Sequence, residues 1–130
     1  MYAYDIEEVR SQTISLQFLL KGWNGYDALP ASKGSVARAL RWIDSSYEAC
    51  RRAGVTWYRP NVDASAEGEV VFWWVAEDRT LSIYVNENEV AFHQSMGGVD
   101  LITETPITKH LHGDAPIGKN QVELMKWFGE

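Results

Sequence analysis

The clearest secondary-structure pattern of the chain lies in EVVFWWVAEDRTLSIYVNENEVAFHQS, residues 69–95. Its three apolar runs are separated by two polar segments, AEDR at 76–79 and NENE at 86–89. Short runs rich in β-branched and aromatic residues, bounded by polar turns, are typical of consecutive antiparallel strands. The spacing therefore predicts a three-stranded meander. Its strands are expected at 69–75, 80–85 and 90–95.

The first of these strands is apolar on both of its sides. Val70, Phe72 and Trp74 alternate with Val71, Trp73 and Val75. Because successive side chains of a strand point to opposite faces, Trp73 and Trp74 are expected on opposite faces of the sheet. A strand of this kind is central or covered on both faces, so at least one of the two tryptophans needs cover from outside the meander.

Two amphipathic helices are predicted upstream of the meander. The first begins at Asp5, which forms an Asp-type capping box with Glu8, and its apolar spacing extends to Leu20. The second begins after Ser32 as N-cap and stops at Gly54. Its predicted buried stripe, with Trp42 on the flank, is Val36, Ala39, Leu40, Ile43, Tyr47 and Cys50.

The remaining segments complete an α+β fold. Residues 55–62 are predicted to be extended and, because they contain Pro60, to lie at a sheet edge. Residues 99–103 are a candidate fourth strand, and a short C-terminal helix opens at Asn120. We therefore expect residues 1–130 to form one domain, with two N-terminal helices packed on one face of a three- to four-stranded antiparallel meander.

Composition excludes several classes of protein. With 45% hydrophobic and 23% charged residues, the chain has the composition of a globular protein and not of a disordered one. No apolar run approaches the roughly 18 residues of a transmembrane helix, which predicts no membrane partner. The N-terminus lacks the basic and apolar regions of a signal peptide, and Cys50 is the single cysteine. We therefore expect a cytoplasmic protein.

The net charge of −6 is unevenly distributed along the chain. Residues 1–62 hold six acidic and eight basic residues, whereas residues 63–130 hold twelve acidic and four basic ones. The C-terminal part, which includes the meander, therefore carries a charge of −8. An isoelectric point near 5.0 argues against direct nucleic-acid binding and favours a basic partner. A predicted acidic ridge consists of Glu69, Glu77, Asp78, Glu87 and Glu89.

The connector between the two helices carries a motif, GWNGYDALP at 22–30. It resembles the Trp-Asp/Asn-x-Tyr-Gly-Ala-x-Pro connector of a group of small bacterial and mobile-element α+β proteins, in which it also joins two helices. Asp27 stands where the group usually has Gly. The resemblance spans roughly residues 10–95 and implies the fold more than a function, because the group has no assigned enzymatic activity. Trp23, Asn24, Gly25 and Tyr26 are either a structural plug between helices and sheet or an exposed recognition loop.

Histidines are the best candidates for a metal site. His110 and His112 have the i, i+2 spacing that places two imidazoles on one side of a strand, and His93 is the remaining histidine. The segment around His110 is rich in Gly and Pro and lacks a strand pattern, so solvent-facing loop histidines are the competing interpretation. A small metal-dependent enzyme that uses His93, His110 and His112 is therefore kept as an alternative.

Other catalytic arrangements are poorly supported by the sequence. No Gly-x-Ser-x-Gly motif and no glycine-rich phosphate loop occur, and Cys50 lies on the predicted buried stripe of the second helix. The acidic residues cluster at turns, where carboxylates are usually solvated. We therefore predict a protein that is not an enzyme and has no cofactor or metal.

These observations together predict a binding protein. A bacterial or phage-type protein is expected, which docks on and blocks a protein partner with a basic surface. It would act in the manner of an antitoxin or of an anti-CRISPR-like inhibitor of a bacterial defence nuclease complex. The predicted partner-binding residues are Glu77, Asp78, Glu87 and Glu89, with Trp74 and Tyr84 as aromatic anchors. A homo-oligomer, formed through apolar sheet residues or through Trp127 and Phe128, is the other alternative.

Overall fold

The computed structural model describes residues 3–23, 25–26, 28–96, 99–100, 110–112 and 119–130. The helices are α1 (Ala3–Ser15), a 3₁₀ turn (Leu16–Phe18), α2 (Lys33–Ala53) and α3 (Lys119–Gly129). The strands are β1 (Asn61–Ala64), β2 (Val70–Val75), β3 (Arg79–Val85), β4 (Glu89–Met96), β5 (Val99–Asp100) and β6 (His110–His112). The fold is α+β, as the sequence predicts.

The described strands form one antiparallel sheet in the order β1-β2-β3-β4-β5, and β6 also pairs with β4. The register aligns Trp73 of β2 with Ser82 of β3, and Ser82 with His93 of β4. The predicted meander is confirmed to within one residue at every strand end. β1 lies at the edge directly after Pro60, which has no backbone N–H to contribute to a central strand.

Helix α2 begins and ends where its caps predict. The Ser32 side-chain oxygen accepts a hydrogen bond from the Ser35 backbone N–H at 3.0 Å, and Gly54 ends the helix with φ of +69°. Trp42, predicted on the flank of the buried stripe, is buried instead. Its ring stacks on that of Phe72, with centroids 6.0 Å apart, because α2 crosses the inward face of β2.

Helix α1 is shorter than the sequence pattern predicts. The pattern predicts a helix from Asp5 to Leu20, but α1 runs from Ala3 to Ser15 and a 3₁₀ turn follows. Asp5 therefore lies inside the first turn, where it pairs with Arg59, and is not the N-cap that its spacing to Glu8 predicts. The Ala31 backbone N–H donates to the Leu16 carbonyl at 3.2 Å, and Leu19 is extended. This contact with the far end of the connector satisfies a carbonyl that a longer helix would use, so the chain leaves the helix early.

The core lies between the helices and one face of the sheet. Its fully buried strand residues are Val70, Phe72, Trp74, Leu81, Ile83, Val85 and Val90. Helix α3 closes one side of this core, where the buried Gln121 side chain donates to the Trp42 carbonyl at 2.9 Å. Phe128 of the same helix meets Tyr58 edge to face. No helix in the described part of the chain has the length and apolar character needed to cross a membrane.

Candidate functional site

The face of the sheet that points away from the core is the candidate site, and we call it the outer face. Alternation along β1–β4 assigns to it Asn61, Asp63, Val71, Trp73, Val75, Thr80, Ser82, Tyr84, Glu89, Ala91, His93 and Ser95. All of these residues are at least partly exposed. Most natural antiparallel sheets place polar side chains on a solvated face, so large exposed apolar side chains there indicate a surface that contacts something else.

Two aromatic rings dominate the outer face. Trp73 and Tyr84 are each 37% exposed, and Val75 beside Trp73 is 58% exposed. They border a shallow depression of about 460 Å³, whose polar lining includes Asp63 and Ser82. Partly exposed Trp and Tyr residues are the side chains most enriched at binding hot spots.

The outer face has a one-sided charge. None of the outward-pointing residues of β1–β4 is a lysine or arginine, whereas Asp63 and Glu89 are acidic. The described basic residues lie elsewhere: Arg10 pairs with Asp44 on the helices, and Arg59 pairs with Asp5 and Glu8 of α1. A basic surface that approaches strands β1–β4 from this side would therefore meet carboxylates and no lysine or arginine of these strands.

The predicted acidic ridge is not continuous. Glu77 and Asp78 occupy the β2–β3 turn, whereas Glu87 and Glu89 lie at the β3–β4 turn. These turns are at opposite ends of β3, whose seven residues separate them by roughly 20 Å. The expectation of one ridge is therefore corrected to two acidic rims at opposite ends of the outer face, and a role of these residues in partner binding stays a prediction.

The two predicted aromatic anchors lie on opposite faces of the sheet. Tyr84 is on the outer face, but Trp74 is only 2% exposed and its indole N–H donates to the Tyr58 carbonyl at 2.6 Å. The expectation that Trp74 is exposed is wrong, because its side of β2 packs against the helices. Trp73 occupies the outward position that the prediction assigns to Trp74.

At the first acidic rim, Asp78 is engaged by its own neighbour. Arg79 donates to both Asp78 carboxylate oxygens, at 3.2 and 3.1 Å. This hydrogen bonding holds the pKa of Asp78 below its ordinary value. Arg79 is 8% exposed because its guanidinium also lies over the Trp127 ring, 5.2 Å from the centroid, and donates to the Trp127 carbonyl. Asp78 is therefore partly neutralised, and Glu77 is the more available charge at this rim.

At the second acidic rim, the turn packs against α2. The Arg38 side chain donates from Nε to the Glu87 carbonyl at 3.0 Å, which joins the start of α2 to the β3–β4 turn. The Asn86 side chain accepts hydrogen bonds from the backbone N–H groups of Asn88 and Glu89, at 2.7 and 2.8 Å. These contacts tie the rim to α2, and the Glu87 side chain itself packs against Gly34 near the start of that helix.

The connector combines a structural part with an exposed part. Trp23 is half-buried, and its indole N–H donates to the Leu29 carbonyl at 2.7 Å, which is a structural role. Gly25 has φ of +84° and donates to the Gly22 carbonyl in a tight turn. Tyr26, in contrast, is 82% exposed. Asn24 lies outside the described residues.

A second exposed apolar cluster surrounds this connector, and we call it the connector patch. It consists of Ile14, Phe18, Leu20, Tyr26 and Leu29, the five exposed large apolar side chains near the end of α1. The charges of the two surfaces differ, because the N-terminal half of the chain is mildly basic and the meander is acidic. Of its members the sequence marks only Tyr26 as a candidate for exposure, because the spacing of Phe18 and Leu20 predicts that they continue the buried helix stripe.

The histidine segment is a strand and not the predicted loop. Residues His110–His112 form β6, and the register pairs His110 with Ala91 and His112 with Glu89. His93 lies on the outer face two residues along β4 from Ala91. Within the part of the chain that the structure describes, no group of three or more His, Cys, Asp or Glu residues is arranged to hold a metal. Asp114, which lies two residues after His112 and is a further candidate oxygen ligand by sequence, is outside that part.

The remaining reactive group is the thiol of Cys50, which lies near the C-terminal end of α2 and is buried in the core. Burial raises the pKa of its thiol from 9.0 to about 11. A thiol with so high a pKa is a poor nucleophile at neutral pH. Cys50 therefore fills space between α2 and its neighbours, as its place on the buried stripe predicts.

No protein-family model matches the chain, and no match was found among curated proteins or solved structures. The resemblance of the connector to small bacterial and mobile-element proteins therefore stays a prediction. The support for a function comes from the shape, charge and exposed rings of the outer face.

Proposed function

We propose that this chain is a non-enzymatic acidic binding protein whose outer face docks on a basic surface of a protein partner and blocks it. The observation that carries the proposal is the pairing of exposed Trp73 and Tyr84 with the absence of outward lysine or arginine on β1–β4. The rings provide apolar contact area at the centre, and the carboxylates at both rims provide electrostatic complementarity.

The partner is proposed to be a toxin or a component of a bacterial defence nuclease complex. Proteins that handle nucleic acid carry basic grooves, because phosphate contacts dominate their affinity. An acidic sheet face that covers such a groove removes the phosphate-binding surface without any chemistry. The charge of −8 on residues 63–130 increases the rate of encounter with a groove of this kind.

An affinity capture with matched variants tests this proposal. Wild-type protein, the double variant Trp73→Ala/Tyr84→Ala and the control Phe18→Ala/Tyr26→Ala are immobilised and exposed to lysate of the native host. We expect wild type and the control variant to capture the same basic proteins. The Trp73→Ala/Tyr84→Ala variant should not capture them, and neither should wild type at high salt. Equal retention on the Trp73/Tyr84 variant would contradict the proposal.

Self-association through the connector patch is a second candidate, and the specific observation that favours it is the exposure of that patch. Its five side chains expose roughly 600 Å², compared with about 800 Å² buried per partner in a standard interface. Trp127 and Phe128, the other proposed contacts, are engaged by Arg79 and Tyr58 of their own chain. Light scattering of wild type and of the Phe18→Ala/Tyr26→Ala variant tests this: a dimer that the variant abolishes supports it, and a monomeric wild type contradicts it.

A further inference from the structure

We propose that the depression between Trp73 and Tyr84 is a binding site for one arginine side chain of the partner. This inference rests on the docking function proposed above, and it names the chemical group that the outer face recognises. Three features carry it: two aromatic rings that flank a depression, a carboxylate beside them, and the lack of an outward lysine or arginine on the described strands β1–β4.

The two rings are placed as diagonal neighbours by the sheet register. Trp73 lies opposite Ser82, and Tyr84 lies opposite Val71, on adjacent strands. Diagonal positions of this kind are about 7–8 Å apart, within reach of a side chain that lies between them. Both residues line the depression of about 460 Å³. Within the described residues neither ring stacks on another ring, and Trp73 and Tyr84 each keep 37% of their surface exposed for contact with a ligand.

A carboxylate lies next to the rings, on the edge strand. Asp63 is opposite Val71 in the β1–β2 register, and it lines the same depression. One of its oxygens accepts a hydrogen bond from the Ala64 N–H at 2.8 Å. The other makes no hydrogen bond or ion pair among the described residues, so it is available to a cation.

The chemistry of the depression suits a guanidinium group. A planar guanidinium stacks on Trp and Tyr faces while its N–H groups bind a carboxylate at the side. Lysine fits less well, because its ammonium is compact, strongly hydrated and unable to stack. A phosphate or another anion is disfavoured, because Asp63 and the two acidic rims would repel it. The partly exposed Ser82 hydroxyl adds an acceptor to the lining of the depression.

Peptide titration with the full-length protein tests the site without the natural partner. The probes are blocked Gly-Arg-Gly, Gly-Lys-Gly and Gly-citrulline-Gly, followed by amide and indole NMR signals. We expect shifts confined to Val71, Trp73, Ser82 and Tyr84, with a dissociation constant for the arginine peptide in the millimolar range. Binding of the lysine peptide is expected to be weaker, and citrulline, which keeps the shape without the charge, weakest.

Two variants with matched controls separate the carboxylate from the ring. Asp63→Asn keeps an oxygen that can accept from the Ala64 N–H, and it is compared with Glu7→Gln on the exposed face of α1. Trp73→Val keeps the strand propensity, and it is compared with Phe18→Val. We expect Asp63→Asn and Trp73→Val each to raise the dissociation constant of the arginine peptide by about two- to fivefold. The two controls are expected to bind as wild type does.

The outcomes distinguish this site from the docking function on which it rests. Shifts that scatter over the surface, or equal shifts from arginine and citrulline peptides, overturn the arginine site. If partner capture still depends on Trp73 and Tyr84, the docking function stands without it. Loss of the preference for the arginine peptide in Asp63→Asn but not in Glu7→Gln supports the site. The comparison of the three peptides on wild type needs no variant, so the test stands even if a variant misfolds.

Discussion

Trp73 and Trp74 are neighbours in β2 and have opposite environments. Trp74 is buried, and its indole N–H is bound to the Tyr58 carbonyl, whereas Trp73 is 37% exposed on the outer face. The same kind of side chain therefore stabilises the core at one position and is available for contact at the next.

This difference predicts that truncation of Trp74 destabilises the fold far more than truncation of Trp73. We expect Trp74→Ala to lower the free energy of unfolding by about 3–5 kcal/mol, because it opens a cavity beside α2. Trp73→Ala is expected to cost less, about 1–2 kcal/mol, because 37% of Trp73 already contacts solvent in the folded protein. Urea unfolding of the two variants measures both. Similar losses at the two positions would show that the outer face is covered after all.

The contact between Arg79 and Trp127 is predicted to hold α3 in place. Its guanidinium lies over the indole and donates to the Trp127 carbonyl, so Arg79→Lys removes the planar stacking group. We expect faster amide hydrogen exchange in α3, with little change in α2. If exchange accelerates equally in both helices, the contact is not a local one.

Because Arg79 lowers the pKa of Asp78, the pair adds a dependence of stability on pH. A carboxyl whose pKa is lowered on folding stabilises the fold above its unfolded pKa and loses that contribution as the pH falls below it. We expect the stability of wild type to decline in acid more than that of Asp78→Asn. If the free energy of unfolding falls by the same amount in wild type and Asp78→Asn between pH 7 and pH 3, this prediction is wrong.

Cys50 provides a second linkage of the opposite sign. Its pKa is raised from 9.0 to about 11 by burial, so the neutral thiol stabilises the fold below pH 9 and that contribution is lost as the pH approaches 11. We expect the stability difference between wild type and Cys50→Ala to shrink across this range. Alkylation of native protein at pH 8 should also be slow and should become fast in urea; rapid labelling without urea would place the thiol at the surface.

The N-cap of α2 is predicted to have a local energetic role. Ser32 accepts from the Ser35 N–H, and Ser32→Ala removes that acceptor. The expected cost is about 1 kcal/mol. Ser45, which is half-buried in the middle of the same helix, provides the matched control, because Ser45→Ala removes no cap and raises helix propensity. A Ser32→Ala variant as stable as Ser45→Ala would argue against the cap.

The two acidic rims predict additive effects on binding. Glu77→Lys and Glu87→Lys act at opposite ends of β3, so their effects should add in the double variant. Each is expected to weaken capture of the basic partner and to lower its salt dependence, which titration at two ionic strengths measures. A double variant no weaker than either single variant would mean that only one rim contacts the partner.

The fold is predictable from sequence where local patterns and long-range contacts agree. The caps Ser32 and Gly54 and the two meander turns lie where predicted, because each depends on a few adjacent residues. The end of α1 does not, because a hydrogen bond from Ala31 to Leu16 decides it, and no local spacing contains that contact. The burial of Trp42 likewise depends on stacking against Phe72 from another element.

The site is predictable only in part. Tyr84 alternates with buried Leu81, Ile83 and Val85, so its outward position follows from the pattern. Trp73 and Trp74 cannot be distinguished in this way, because both sides of β2 are apolar. The pairing of Val71 with Tyr84 places Trp73 on the outer face, and this register is the signal that points to Trp73.

Photo-crosslinking from one surface at a time distinguishes docking through the outer face from docking through the connector patch. Benzoylphenylalanine is introduced at Val75 on the outer face, or at Phe18 in the connector patch, since both positions are well exposed. Irradiation in lysate of the native host, followed by mass spectrometry, identifies what each position contacts. We predict that position 75 forms a covalent adduct with a basic protein and that this adduct is lost at high salt. Position 18 is expected to form no adduct with that protein. An adduct from position 18 alone, or from position 75 only with a second copy of this chain, would contradict this prediction.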